Sequence, residues 1–361
     1  TLIYAALLGG AAFIRFYALG RWPLLVGEAG QALAAWRFLH AQGASPSAVP
    51  LLFDSALAGF FLLGASDAAA RLLPALLGTA LVFVPLGLRR RLGTWGALAA
   101  TFLLAFSPTL VFYSRTLAGA IPGLAGLGAV LLAMEYADQG QAQRARVLGA
   151  VGLAVALTSS PWVYTALLAG LAFYALGSLA RGRGADWPGW DVLVAKGGSL
   201  LRDRKAWLGF GILAGLLSTA LLMRLDGVQA TADLLVVWLS RLVPASGGRS
   251  FAYPLATLCF YEAGILALWA GLALVLPSLS GARDAEPVAH AILPLALLAG
   301  LAVDALVTRL RPANWAWVGG CLAVLSALLG FWWLQLAAYF NPEAAAALGD
   351  QLRLVWVLCF V

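Results

Sequence analysis

Apolar runs of about 20 residues recur along the whole chain, and each is long enough to cross a hydrocarbon core ~30 Å thick as a helix. Hydrophobic residues make up 62% of the sequence, charged residues make up 11%, and the mean hydropathy is +0.90. A soluble domain has an apolar share nearer ~45–50%. The sequence therefore predicts an all-α fold, a polytopic transmembrane helical bundle of about 10–12 spans. The predicted spans are 1–19, 69–88, 94–113, 117–134, 147–160, 162–180, 207–223, 253–277, 290–308 and 315–338, with another starting at 352.

Basic residues fall in alternate loops between these spans, and their positions predict the orientation. Arg89-Arg90-Arg91, the pair Arg144 and Arg146, and the loop 181–206 are rich in cations. Cytoplasmic loops carry such an excess of arginine and lysine, so we place these three on the cytoplasmic side.

The remaining loops, 23–64 and 224–252, then face the outside. The run 49–64 is apolar but too short for a span, so we expect interfacial helices in the first outer loop. The loop 224–252 contains an amphipathic stretch that we expect on the outer membrane surface. The whole chain, 1–361, is predicted to form a single transmembrane domain.

Several classes of function are disfavoured by the composition. The three cysteines lie in apolar runs without metal-ligand spacing, and the chain has two histidines. The net charge of +7 is explained by contact with anionic lipid at the cytoplasmic side. Because there is no basic and aromatic module, nucleic acid is not an expected partner. Membrane lipids are expected partners, and other membrane protein subunits are a further possible class of partner.

The ends and one inner segment suggest that sequence is missing. The chain begins at Thr1 rather than at methionine, so we expect trimmed termini. Continuing the alternation past 253–277 places Arg309 and Arg311 outside, against the positive-inside rule. We therefore expect that a helix is absent near 277–287.

The first candidate site residue is Glu28, in the outer stretch that follows the first apolar run. A carboxylate is costly where a helix leaves the membrane, which suggests a function. The alternative is a solvated or amide-paired headgroup residue. The preceding position, where a second acid would give a catalytic pair, is Gly27.

A second candidate segment, Ser107–Arg115, closes a span at the outer face. Pro108 loosens the last turns of that helix, and Tyr113 with Arg115 leaves an aromatic ring and a cation at the headgroup level. The alternative is a simple interfacial anchor. Asp54, in the interfacial run, either lines a pocket with Tyr113 or lies on a solvated face.

Together these segments resemble the GT-C superfamily of lipid-phosphosugar-dependent glycosyltransferases. The likeness is strongest to the protein mannosyltransferase and aminoarabinose transferase branch and to the flippase-activity-associated group beside it. The resemblance implies an enzyme of the prokaryotic cytoplasmic membrane that transfers a sugar from a polyprenyl phosphate at the outer face. The resemblance rests on the order and spacing of four motifs, which are Gly27-Glu28-Ala29, Ser66–Gly78, Ser107–Arg115 and His290–Gly300.

The resemblance also implies roles for single residues. An acid in the first outer loop serves as general base or holds a divalent metal, and basic residues neutralise the departing phosphate. By position, Glu28 takes the acidic role and Arg115 is the candidate phosphate ligand. Arg71 and His290 are further candidates for the same lipid-phosphate pocket.

Two departures from the pattern favour weak or absent transfer. The first acid is replaced by Gly27, and Thr116–Ala120 stands where relatives carry a further arginine and an acid. Loss of a general base typically lowers a rate ~10²–10⁴-fold. The sequence thus leaves two functions open, a transferase of low activity and a non-catalytic subunit of a larger membrane assembly.

Overall fold

The computed structural model describes residues 2–42, 49–171 and 203–242, together with residues 292, 293, 296, 297, 299, 300 and 303. All of these belong to one compact unit, Thr1–Asp304. The regular structure within the described residues is entirely helical, so the predicted all-α class is confirmed. That the whole chain forms a single domain stays a prediction. The helices are α1 (Leu2–Phe16), α2 (Val26–Leu39), α3 (Pro50–Leu63), α4 (Asp67–Leu81), α5 (Val84–Gly87), α6 (Arg89–Phe106), α7 (Pro108–Ser114), α8 (Ala120–Asp138), α9 (Ala142–Ser159), α10 (Trp162–Leu171), α11 (Arg204–Ser218) and α12 (Gly227–Leu242).

The predicted first outer loop contains the two short helices α2 and α3, whose position at the membrane interface stays a prediction. Each helix has 14 residues. At ~1.5 Å per residue this is ~21 Å, well short of a bilayer core. One face of α3 is buried through Phe53, Ala56 and Phe60, whereas the end of the helix at 61–63 is exposed. Gly64 ends α3 with a φ of 82°, which glycine adopts without strain.

Within the described residues, two segments are long and apolar enough to cross a membrane, and a third qualifies if a bent pair of helices is taken as one span. The segment Asp67–Gly87, formed by α4 and α5, has 21 residues, and α8 has 19. The third combines α6 with α7, which are bent by 55° at Ser107. This bend falls in the predicted span 94–113, where proline at position 108 prevents a continuous helix. The predicted spans 253–277, 315–338 and the one starting at 352 lie outside the described residues, as does most of 290–308.

Close helix contacts in the bundle depend on small residues. A Cβ at Gly126 of α8 would lie 2.5 Å from the carbonyl oxygen of Gly152 in α9, and the reverse contact is equally tight. Such small residues let helix backbones approach in membrane proteins. A buried apolar cluster from α4, α6 and α8 lies beside this contact, and Ile292, Leu293 and Ala296 join it.

The loops that were predicted on one side of the membrane meet at one end of the bundle. Arg91 pairs with Glu135 and, at 3.6 Å, with Asp138. Arg146 pairs with Asp203, which lies in the predicted cytoplasmic loop. The loops predicted outside contact each other at the other end, described below. These contacts show which loops share an end of the bundle, and the side of the membrane that each end faces stays a prediction.

Cysteine labelling tests the orientation. Ala65, between α3 and α4, and Arg90, at the start of α6, are both exposed and lie at different ends of the bundle. We expect Ala65→Cys and Arg90→Cys to react with a membrane-impermeant maleimide from opposite sides of intact vesicles. Labelling of both from the same side would contradict the predicted topology.

Candidate functional site

A buried ion pair between Glu28 and Arg71 lies at the end of the bundle that the sequence predicts to face outside, which we call the outer end. Glu28 lies in the first turn of α2 and Arg71 in the second turn of α4. Arg71 donates from Nε to Oε1 at 3.0 Å and from Nη2 to Oε2 at 2.7 Å. Both residues are 4% exposed. The paired geometry fits the arginine fork, which matches the two oxygens of a carboxylate.

Arg71 also holds the connection between α1 and α2. Its Nη1 donates to the carbonyl oxygens of Leu19 and Trp22, at 3.3 and 2.8 Å, and its Nη2 donates to that of Pro23 at 3.1 Å. With the two bonds to Glu28, all five N–H donors of the guanidinium have protein acceptors. A phosphate would have to displace one of these acceptors, and the role of Arg71 as a phosphate ligand stays a prediction.

The carboxylate of Glu28 receives two further hydrogen bonds. The N–H of Leu25 donates to Oε2 at 2.7 Å, which completes a capping arrangement at the start of α2, and the N–H of Leu117 donates to Oε1 at 2.5 Å. Burial alone raises the pKa of Glu28, but these bonds and the charge of Arg71 outweigh it and hold that pKa below its usual value. Glu28 is therefore ionised at neutral pH, with both oxygens occupied.

Gly27 lies on the open side of the same turn. It is exposed, and a Cβ built there would meet no atom within 4 Å among the described residues. The segment Thr116–Ala120, which also departs from the family pattern, is closely packed. A Cβ at Gly119 would lie 1.9 Å from the carbonyl oxygen of Ser159. The end of α9 thus excludes a side chain at position 119 but leaves room at position 27.

Arg115 binds the end of α1. Its Nη1 donates to the carbonyl oxygens of Ile14 and Tyr17, at 2.5 and 2.8 Å, and its Nη2 donates to that of Ala18 at 3.4 Å. Burial and then the positive charge of Arg71 lower its pKa. Arg115 and the Glu28 ion pair therefore lie at the same end of the bundle. That one cavity holds both stays a prediction.

Asp54 lies apart from this pair, beside α11 and α12. It lines a narrow gap with Phe53 and Arg224, too small to admit a water molecule. Burial raises the pKa of Asp54 to about 7, although the charge of Arg224 acts against it. Arg224 stacks 4.4 Å from the Phe53 ring centre and donates to both oxygens of Asp226.

The other predicted site residues contribute less. Tyr113 packs against the apolar cluster of the bundle, and its ring contacts that of Phe112 edge-on at 5.3 Å. His290 lies outside the described residues. Among the residues that the structure does describe, no three His, Cys, Asp or Glu side chains gather as metal ligands.

One residue of this region was not identified from the sequence. Arg15 is fully buried and donates to the carbonyl oxygens of Leu104 and Ala105, both at 2.9 Å, and to Oγ of Ser114 at 3.2 Å. It thereby binds the carbonyl groups left without partners at the bend between α6 and α7. A cation inside an apolar run was the signal that could have identified it.

Two solved structures share this fold, both of ArnT from Cupriavidus metallidurans. ArnT is an aminoarabinose transferase of the GT-C class. The structure bound to undecaprenyl phosphate matches with a TM-score of 0.66 and 18% identity, and the apo structure matches with 0.58 and 17%. Each match covers 90% of this chain and 63% of the ArnT chain. The predicted polytopic, all-helical membrane fold is thus confirmed, and it is the fold of the ArnT structures.

The chain spans less than two thirds of the length of the ArnT structures that it matches. No family model matches the sequence. No curated protein matches it either. The comparisons therefore establish the fold.

Replacing Arg71 tests whether the buried ion pair supports the fold. Arg71→Met leaves the Glu28 carboxylate buried without its charged partner, which typically lowers the unfolding free energy by ~3–5 kcal/mol. We expect a matching loss in denaturant unfolding of the detergent-solubilised protein. Arg37→Met, at an exposed arginine of α2, is the control and should change stability by less than ~0.5 kcal/mol.

The pH dependence of the same measurement has a defined sign. Because the Glu28 pKa is lowered on folding, its stabilisation is complete above its usual pKa and is lost as pH falls through the lowered value. The unfolding free energy of Arg71→Met should therefore not show this decrease at acid pH. Equal stability of Arg71→Met and Arg37→Met at neutral pH would contradict the structural role of the pair.

Proposed function

We propose, on the premise of the fold shared with ArnT, that this chain is a GT-C-like integral membrane protein of a prokaryotic cytoplasmic membrane. It binds a polyprenyl phosphate lipid at the outer end of its bundle, with Arg115 as the phosphate ligand. Its sugar-transfer activity is weak or absent. The state of the Glu28 carboxylate is the observation that carries this proposal.

A general base needs an oxygen lone pair directed at the proton that it removes. A carboxylate offers about four such positions. In Glu28 they meet Nε and Nη2 of Arg71 and the N–H groups of Leu25 and Leu117. An acceptor hydroxyl would have to displace one of these donors. The same occupation disfavours Glu28 as a metal ligand, and Gly27 supplies no second acid.

The lipid side of the proposal depends on Arg115. Its three described hydrogen bonds leave Nε and one N–H of Nη2 for a ligand, as far as the described residues show. The side chain is half-buried at the outer end, and arginine binds phosphate oxygens in pairs while staying charged. One of the ArnT structures with this fold holds undecaprenyl phosphate.

The alternative is a non-catalytic subunit of a larger membrane assembly. The exposed apolar side chains of the first outer loop favour it, because Leu25 is 55%, Val26 is 93% and Phe61 is 77% exposed. Exposed apolar patches mark contacts with proteins or with lipid. Loss of the catalytic acid would leave the fold free for this role.

A transfer assay tests the proposed low activity. The purified protein, given polyprenyl-phosphate sugars and an acceptor, should show little turnover. Gly27→Asp places a carboxylate in open space beside Glu28 and should raise any residual rate by about tenfold or more, toward the ~10²–10⁴-fold value of a general base. Gly30→Asp is the control, since Gly30 is also exposed on α2 with nothing within 4 Å.

The outcomes of this assay separate the two catalytic states. Brisk wild-type transfer that Glu28→Gln abolishes would overturn the proposal. A rise in Gly30→Asp equal to that in Gly27→Asp would assign the effect to added charge rather than to a restored acid.

Lipid binding is tested independently of turnover. Arg115→Gln should weaken binding of undecaprenyl phosphate in detergent by about tenfold or more, because a charged hydrogen bond to phosphate contributes about 1.5–3 kcal/mol. Arg21→Gln, at an exposed arginine of the same loop region, should bind like the wild type. Native mass spectrometry measures the bound lipid in each variant. An equal loss of lipid binding in both variants would contradict a specific site at Arg115.

A further inference from the structure

The end of the bundle opposite to the Glu28 pair carries an open surface cavity of about 470 Å³ beside α8 and α9. Its described lining is Tyr136, Gln143, Arg144, Val147 and Leu148. This volume lies within the range of ~300–1,000 Å³ that is typical of ligand pockets. The lining combines one cation, two polar groups and an apolar wall.

Arg144 is held in place by a chain of hydrogen bonds that begins at a buried acid. Gln139 donates to Oε1 of Glu135 at 2.9 Å, Gln141 donates to Oε1 of Gln139 at 3.2 Å, and Arg144 donates from Nη1 to Oε1 of Gln141 at 2.8 Å. The guanidinium also lies 6.0 Å from the centre of the Tyr136 ring. These contacts fix the cation at the mouth of the cavity.

Arg144 is the charged residue of the described lining. Glu135 and Asp138 both pair with Arg91, so neither acid pairs directly with Arg144. The exposed guanidinium of Arg144 makes one described hydrogen bond, to Gln141, and within the described residues its other donors remain open to a ligand. Such a cation selects an anionic group, and a phosphate best matches its fork.

The apolar wall selects for a ligand with a hydrocarbon part. Val147 is 56% exposed, one turn further along α9 than Arg144. This end of the bundle holds the loops predicted to be cytoplasmic, and the inner leaflet carries anionic lipids. An inner-leaflet lipid can place its phosphate at Arg144 while its chain lies along α9.

We propose that this cavity is a binding site for an anionic phospholipid of the cytoplasmic leaflet. The phosphodiester binds Arg144, the headgroup hydroxyls meet Gln143 and the Tyr136 ring edge, and an acyl chain lies on Val147 and Leu148. This site is separate from the proposed polyprenyl phosphate site and does not depend on it.

Native mass spectrometry of the whole protein with phosphatidylglycerol and with phosphatidylcholine tests the site. The wild type should prefer phosphatidylglycerol. Arg144→Gln should lower that affinity by about tenfold or more, in line with one charged hydrogen bond. Val147→Trp should also lower the affinity for phosphatidylglycerol, because the larger side chain fills the cavity while Arg144 keeps its charge. Arg90→Gln, an exposed arginine at the same end, should leave it unchanged.

Three results would overturn the proposal. One is unchanged phosphatidylglycerol affinity in Arg144→Gln, and another is an equal loss in Arg90→Gln, which would indicate general surface charge. The third is full competition by glycerol phosphate in water, which would identify a site for a free phosphate rather than for a lipid. Thermal unfolding of each variant checks that the fold is retained.

Discussion

The ion pair between Glu28 and Arg71 is the interaction on which the outer end of this bundle depends. It joins α2 to α4, and through further hydrogen bonds it holds the α1–α2 connection and the backbone at Leu117 before α8. Two charges buried this deeply are costly unless their hydrogen bonds are complete, and here they are. The same completeness that stabilises the pair makes the carboxylate a poor proton acceptor.

Arginine side chains at the outer end also donate hydrogen bonds to the backbone carbonyl groups that lack partners where helices end. In a low-dielectric surrounding such groups need partners within the protein. Arg115 meets those at the end of α1, and Arg15 meets those at the bend between α6 and α7. Arg15 and Arg115 thus bind backbone carbonyl groups, and a phosphate at Arg115 would use the donors that these bonds leave.

The sequence predicted the helices well because apolar runs, Pro108 and the alternation of arginines are local signals. It predicted that Glu28, Arg71 and Arg115 belong to one region, and the structure brings them to one end of the bundle. It could not predict that Arg71 pairs with Glu28, because the 43 residues between them carry no pattern that encodes the pairing. Arg15 escaped notice for a related reason, since its acceptors are backbone carbonyls, which every residue has.

The contacts of Arg15 also bear on how the protein is made. Its two helix-end acceptors, Leu104 and Ala105, lie 89 and 90 residues further along the chain. While α1 is emerging from the ribosome, its guanidinium therefore has only the carbonyl of Ala11, one turn back, as a partner from this set. The distant acceptors of Arg15 exist only after α6 and α7 have been synthesised. The final packing of α1 therefore depends on residues that follow it in the chain by about 90 positions or more.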